Sequence, residues 1–190
     1  MSRIKITKTI SWNEEVRVEL DLLWRTMEIT DAGRFVLSRA KALNGRGFYE
    51  KLGESMGIPW WFIACIHGME CGFNFSLHLH NGDSLQRRTR RVPAGRPVEG
   101  DPPFTWMESA RDALGMKGLD RVQDWSMPHA LWLLEVYNGL GYRLYRRMPS
   151  PYLWAGTNHY TAGKYVSDGK YDATAVSKQA GCAGLIKTIL

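Results

Sequence analysis

The chain lacks the cysteine content of a disulfide scaffold. Its 190 residues include three, Cys65, Cys71 and Cys182, which cannot all pair with one another and show no Cys-x-x-Cys spacing for zinc. They read as reduced thiols, with Cys65 a small core residue and Cys71, beside Glu70, either a reactive thiol or a packed one. No apolar run is long enough to span a bilayer. No N-terminal stretch joins a basic region to an apolar segment of secretory length, so synthesis in the cytoplasm without a signal peptide is expected. The sequence has no internal repeat, low-complexity tract or interdomain linker, which leaves one domain over residues 1–190, with N-terminal helices in 1–44 and a core in 45–190. His78, His80 and His159 lack metalloprotease spacing, so neither a metal nor another cofactor is expected.

What is present is a folding composition: 44% hydrophobic and 23% charged residues, enough for one compact core. Eight Trp, eight Tyr and six Phe exceed what such a core needs, and flat amphipathic rings stack on sugars or bases, so some should line a cleft. The formal charge of +6 favours encounter with a polyanion. Its densest run, Arg87, Arg88, Arg90 and Arg91 before Pro93, reads as a solvated loop, with a phosphate-contacting patch as the alternative. The basic residues form no helix-face stripe, so nucleic acid is not the expected partner.

Hydrophobic spacing predicts a mainly helical chain. Ser11 and Glu14 read as a capping box for a helix over about 12–29, Asp31 as the cap of a second ending at Asn44-Gly45, and a short third spans 48–56. After Gly57-Ile58-Pro59, the run Trp60-Trp61-Phe62-Ile63-Ala64-Cys65-Ile66 is apolar on nearly every face and predicts a buried central helix ending at His67, Glu70 and Gly72. Residues 74–103 read as a loop or short hairpin insertion framing a site. Helices return over 104–114 and from Ser126-Met127-Pro128 through Tyr137, and 148–172 reads as a long ordered loop. Asp172 is the expected cap of a final helix reaching toward Leu190.

A carboxyl at the end of a buried helix is costly unless it serves chemistry, and an apolar setting keeps such an acid protonated near neutral pH, as glycoside cleavage requires. Glu70 has that setting, with Trp60 to Ile66 before it and Phe73 and Phe75 after it. Asp83, in the turn His80-Asn81-Gly82-Asp83, is the candidate second carboxylate, placed to orient water or steady developing positive charge. His67, one turn before Glu70, is a candidate supporting residue, and His80 is grouped with it as substrate-binding. Tyr152, Trp154, Asn158 and Tyr160 combine rings with an amide in one loop, the mixture that stacks on pyranose faces and bonds hydroxyl and acetamido groups.

The order His67-x-x-Glu70, Phe73-Asn74-Phe75, His78-Leu79-His80-Asn81-Gly82-Asp83, Pro103-Phe104-Thr105-Trp106, Tyr137-Asn138-Gly139, Ser150-Pro151-Tyr152-Leu153-Trp154 and Thr157-Asn158-His159-Tyr160 carries a resemblance, and it ends near Gly163 to Asp172. Over roughly residues 45–185 the chain resembles the lysozyme-like muramidase domain of phage endolysins and type VI secretion spike tips, in the goose-type lysozyme and soluble lytic transglycosylase superfamily. The resemblance implies a mainly α, lysozyme-like fold, Glu70 as general acid, and Tyr137 and Asn138 on the cleft floor positioning the sugar. It implies an N-acetylmuramidase acting as a monomer on peptidoglycan glycan strands, in transient contact with the anionic envelope, after lysis-associated release or injection into the periplasm. The alternatives are a lytic transglycosylase, for which Glu70 alone suffices, and a non-catalytic wall-binding module.

Overall fold

The computed structural model describes residues 10–167 and 169–190. Residues 1–9 of the N-terminal segment and Asp168 of the Gly163 to Asp172 stretch lie outside them. The fold is mainly helical: α1 (Glu14–Arg25), α2 (Ala32–Asn44), α3 (Arg46–Met56), α4 (Trp60–Cys71), α5 (Trp106–Met116), α6 (Met127–Asn138), α7 (Pro151–Trp154) and α8 (Cys182–Ile189). A 3-10 turn follows α5, and a π-helical turn over Tyr142–Arg146 follows α6. Strands β1 (Lys164–Ser167) and β2 (Lys170–Asp172) pair antiparallel with a bulge after Tyr165. Among the described residues no helix is long and apolar enough to cross a membrane.

The capping chemistry departs from expectation at both ends of the chain. Helix α1 is capped by Asn13, whose Oδ1 accepts from the Val16 N–H at 3.0 Å, and it ends at Arg25. Asp31 does cap α2. Asp172 instead folds a local turn, accepting from the Thr174 and Ala175 N–H groups, and α8 begins ten residues later behind Gly181. Gly181 is required there, because a Cβ would lie 2.4 Å from the Leu153 carbonyl oxygen.

Helix α4 is the axis of the core, packed against α2, α3, α6 and α8. Phe62 through His67 are buried, as the all-apolar run requires. Gly72, left-handed at φ 58°, ends the helix, and Phe73 follows at φ 64°. The Phe73 ring then folds back on Gly68, where a Cβ would stand 2.4 Å from it. Glu70 is thereby held in the last turn, where the helix leaves the core.

The insertion after α4 has little regular structure. An isolated bridge, Leu77 to Ser84, closes the turn over 78–83, and irregular chain leads to α5. Buried polar groups fix it: His78 shares Ser109 Oγ at 2.8 Å and bonds the Arg87 carbonyl, while His80 Nε2 meets Asp112 at 2.6 Å, with Arg96 on the same carboxylate. The long loop after α6 holds α7 and the hairpin β1–β2.

Candidate functional site

Three elements meet at the end of α4. Helix α6 stops at Gly139 and brings Tyr137 and Asn138 alongside. Helix α7 is nucleated by Ser150, whose Oγ accepts from the Tyr152 N–H, with Pro151 in the first turn. Asn138 Nδ2 reaches the same Ser150 Oγ at 3.5 Å, tying the two helix ends together. This arrangement places buried Tyr152 so that its hydroxyl donates to Glu70 Oε1 at 3.1 Å.

The Glu70 carboxyl is half-buried, and burial raises its pKa above the usual carboxylate range. The Tyr152 hydrogen bond and the charge of Lys117 pull it partly back. Lys117, at the end of α5, sits 5.4 Å from the Tyr137 ring centroid. Burial and the neighbouring Glu70 charge push both the Tyr137 and Tyr152 hydroxyls up, so they remain protonated donors. Tyr152 occupies Oε1, and Oε2 makes no hydrogen bond among the described residues. Cys71 donates to the His78 carbonyl at 3.2 Å, and burial pushes its thiol up to about 12, which removes it as a nucleophile.

A cleft of about 480 Å³ adjoins this group, within the range of small-ligand sites. Met69, Asn138, Tyr142, Tyr152 and Gln179 wall it on one side, and Lys164, Tyr165 and Ser167 of the hairpin on the other. Glu70 is not itself a wall residue; it adjoins the cleft through Met69 and Tyr152. Arg146 lies over the Tyr171 ring at 4.1 Å and the Tyr165 ring at 5.5 Å, stiffening the hairpin wall.

The other candidates are dispersed. Asp83 accepts from the Arg90 and Arg91 N–H groups at 2.8 and 3.0 Å and from the Arg91 guanidinium at 2.7 Å. Those donors hold its carboxyl well below the usual range, and they make it the buckle of the 84–97 loop, with its oxygens already taken, rather than a water-positioning group. His67 is fully buried, and its hydrogen bond goes to α3 rather than to Glu70. Its Nδ1 bonds Tyr49 Oη at 2.8 Å, its ring packs against Phe75 and Trp106, and burial lowers its pKa to about 4. His80 belongs to the Asp112 network described above, not to the cleft.

Trp154, expected to stack on sugar, is 1% exposed and packs edge-on against His159, so it is a core residue. Asn158 clamps the α1–α2 connection, accepting from the Glu28 N–H and donating to the Thr26 carbonyl. Tyr160 is buried and accepts from the Ser177 N–H at 3.0 Å. These three were grouped by their nearness in sequence, but Trp154 and Tyr160 are buried in the core and Asn158 is spent on the backbone of the α1–α2 connection.

Sequence reasoning did not single out Lys117, Tyr142, Tyr165 or Gln179, which are isolated residues on separate elements. It also passed over the pairing of Glu135, 2% exposed, with Arg143, which bonds Glu19 as well. That triad anchors the π turn to α6 and α1, and a turn of this kind has no sequence periodicity to announce it. Among the described residues no group of His, Cys, Asp or Glu is placed to hold a metal ion.

Comparison with known proteins returned no matching family model, no matching curated protein and no matching solved structure.

Proposed function

We propose that this protein cleaves the glycan strands of peptidoglycan, with Glu70 as the general acid that protonates the leaving glycosidic oxygen. The observation that carries the reading is the Glu70 carboxyl itself: half-buried, raised in pKa, held through one oxygen by Tyr152 and adjoining an aromatic-walled cleft. Such an acid holds its proton to higher pH than an exposed carboxyl does, and it has one oxygen free of Tyr152 to deliver it. The lysozyme-like relationship implied by the motif order supports the same assignment. Tyr137 and Asn138 stand beside the acid, where a bound sugar needs positioning.

Hydrolysis needs a second group to manage water, and the candidate for that work was Asp83. Its saturated carboxylate favours a second reading, a lytic transglycosylase in which the muramic acid's own hydroxyl attacks and leaves an anhydro sugar. Mass spectrometry of fragments from purified peptidoglycan separates the two: reducing ends mark hydrolysis, and anhydro ends mark the intramolecular route. Under either reading Glu70→Gln folds normally and loses about 10²-fold or more of its turnover, since the amide cannot act as an acid. Near wild-type turnover in that variant would overturn the assignment.

A further inference from the structure

The loop from Ser84 to Val98 contains five arginines and no Asp or Glu. A merely solvated charge run needs no fixed shape, yet this loop is tightly built. Thr89 N–H bonds the Arg96 carbonyl and Gly95 N–H the Thr89 carbonyl, both at 2.8 Å, and Asn81 Nδ2 holds the Arg91 carbonyl at 2.9 Å. Asp83 buckles Arg90 and Arg91 through their backbones. Arg88 and Arg96 are engaged inside the loop and on Asp112, whereas Arg87 and Arg90 are exposed and their side chains make no ion pair or hydrogen bond among the described residues. Arg91 is tied to Asp83, but its side chain remains 66% exposed, leaving guanidinium donors for a second anion.

The Arg91 end of this surface lies beside the last turn of α4. A Cβ on Gly82 would lie 3.4 Å from the Glu70 carbonyl oxygen and 4.0 Å from Arg91 Nη2, so that guanidinium and the end of α4 flank the same residue. Lys117 adds positive charge from the α5 side, since its charge is felt at Glu70. The sugars of a wall strand are neutral once the lactyl group carries its peptide. The strand's negative charge lies in the free carboxylates of that peptide, which hangs outside any cleft holding the sugars. Carboxylates are the groups a guanidinium fork fits best, and a rigid frame reduces the ordering cost of binding them.

We infer that the Arg87–Arg91 loop is a docking surface for the carboxylates of the stem peptides, so that the substrate is peptide-bearing strand rather than bare polysaccharide; this rests on the glycan-cleaving reading above. The probe is a soluble disaccharide tetrapeptide of the wall, which contains no bond for the enzyme to cut, compared by calorimetry with a neutral N-acetylglucosamine tetramer. The wild-type protein should bind the peptide-bearing ligand about tenfold more tightly at low salt, as two or three exposed ion pairs allow. High salt and the double variant R87A/R90A should each abolish that preference, and the thermal midpoint should be unchanged because neither side chain has a partner among the described residues. Equal affinity for the two ligands, or a preference that survives in R87A/R90A, overturns the inference. So does an intact preference accompanied by loss of binding to phosphatidylglycerol vesicles, which would assign the arginines, with exposed Val92 between them and Pro93, to a membrane surface. Failure of the glycan-cleaving reading registers separately, as undiminished turnover in Glu70→Gln, because the docking measurement reads the affinity for each ligand and not its cleavage.

Discussion

Acid should destabilise this protein through His67. The ring is fully buried, its Nε2 makes no hydrogen bond of good geometry among the described residues although the Asn74 backbone lies near, and aromatic rings surround it, so adding a proton places a charge with almost no solvation. A free imidazole takes up its proton near pH 6.5, while the folded one waits until about 4. Between those values the unfolded chain binds more protons than the folded one, so stability rises with pH across the window and is lost as pH falls through it. At about 1.4 kcal/mol per pH unit for one proton the loss is about 3 kcal/mol, a sizeable share of the 5–15 kcal/mol typical of a domain. Burial lowers His80 as well, which adds in the same direction, whereas Glu70, whose pKa is raised, contributes with the opposite sign. Urea unfolding at steps from pH 7.5 to 4 measures the total, and His67→Phe isolates the contribution of one ring. That variant starts from a lower stability, because it leaves the Tyr49 hydroxyl without its partner, but its slope against pH should be flatter. Identical slopes in the two proteins would refute the reasoning.

Tyr152→Phe removes a hydrogen bond that holds the Glu70 pKa down, so the alkaline limb of the activity profile should move to higher pH while kcat falls more than KM changes; an unmoved limb would detach Tyr152 from the acid. Trp154→Ala should cost about 3–5 kcal/mol of stability by opening a core cavity, read by denaturant unfolding, and leave ligand affinity in the surviving folded protein unaltered. Asp83→Asn should release the arginine loop, seen as faster proteolytic cleavage between residues 87 and 97, with the Glu70–Tyr152 pair intact; complete loss of the proposed turnover in a loop that stays protected would restore a chemical role to Asp83.

Periodicity and local chemistry were enough to foresee a mainly helical chain, the buried α4 with its Pro59 start and Gly72 stop, and Glu70 as an acid emerging from an apolar helix. These follow from the sequence because a helix with no polar face has nowhere to lie except the centre, and the first ionisable group at its end must then meet the core's boundary. Tyr137 entered through the family resemblance and Tyr152 as a sugar-stacking ring in a long loop; the short helix that buries Tyr152 and its hydrogen bond to Glu70 were not foreseen. The roles of Asp83, His67, Trp154, Asn158 and Tyr160 were decided by the tertiary structure. Each is a residue type able to do two jobs, and the choice depends on which way a turn faces and which distant group it meets. Asp83 meets arginine N–H groups seven and eight residues on, His67 meets Tyr49 from α3, and Asn158 meets backbone 130 residues away. No spacing within the chain encodes those encounters. They exist only once α4 is covered by its neighbours, and that packing alone determined which polar groups were left facing the cleft and which were consumed in holding it together.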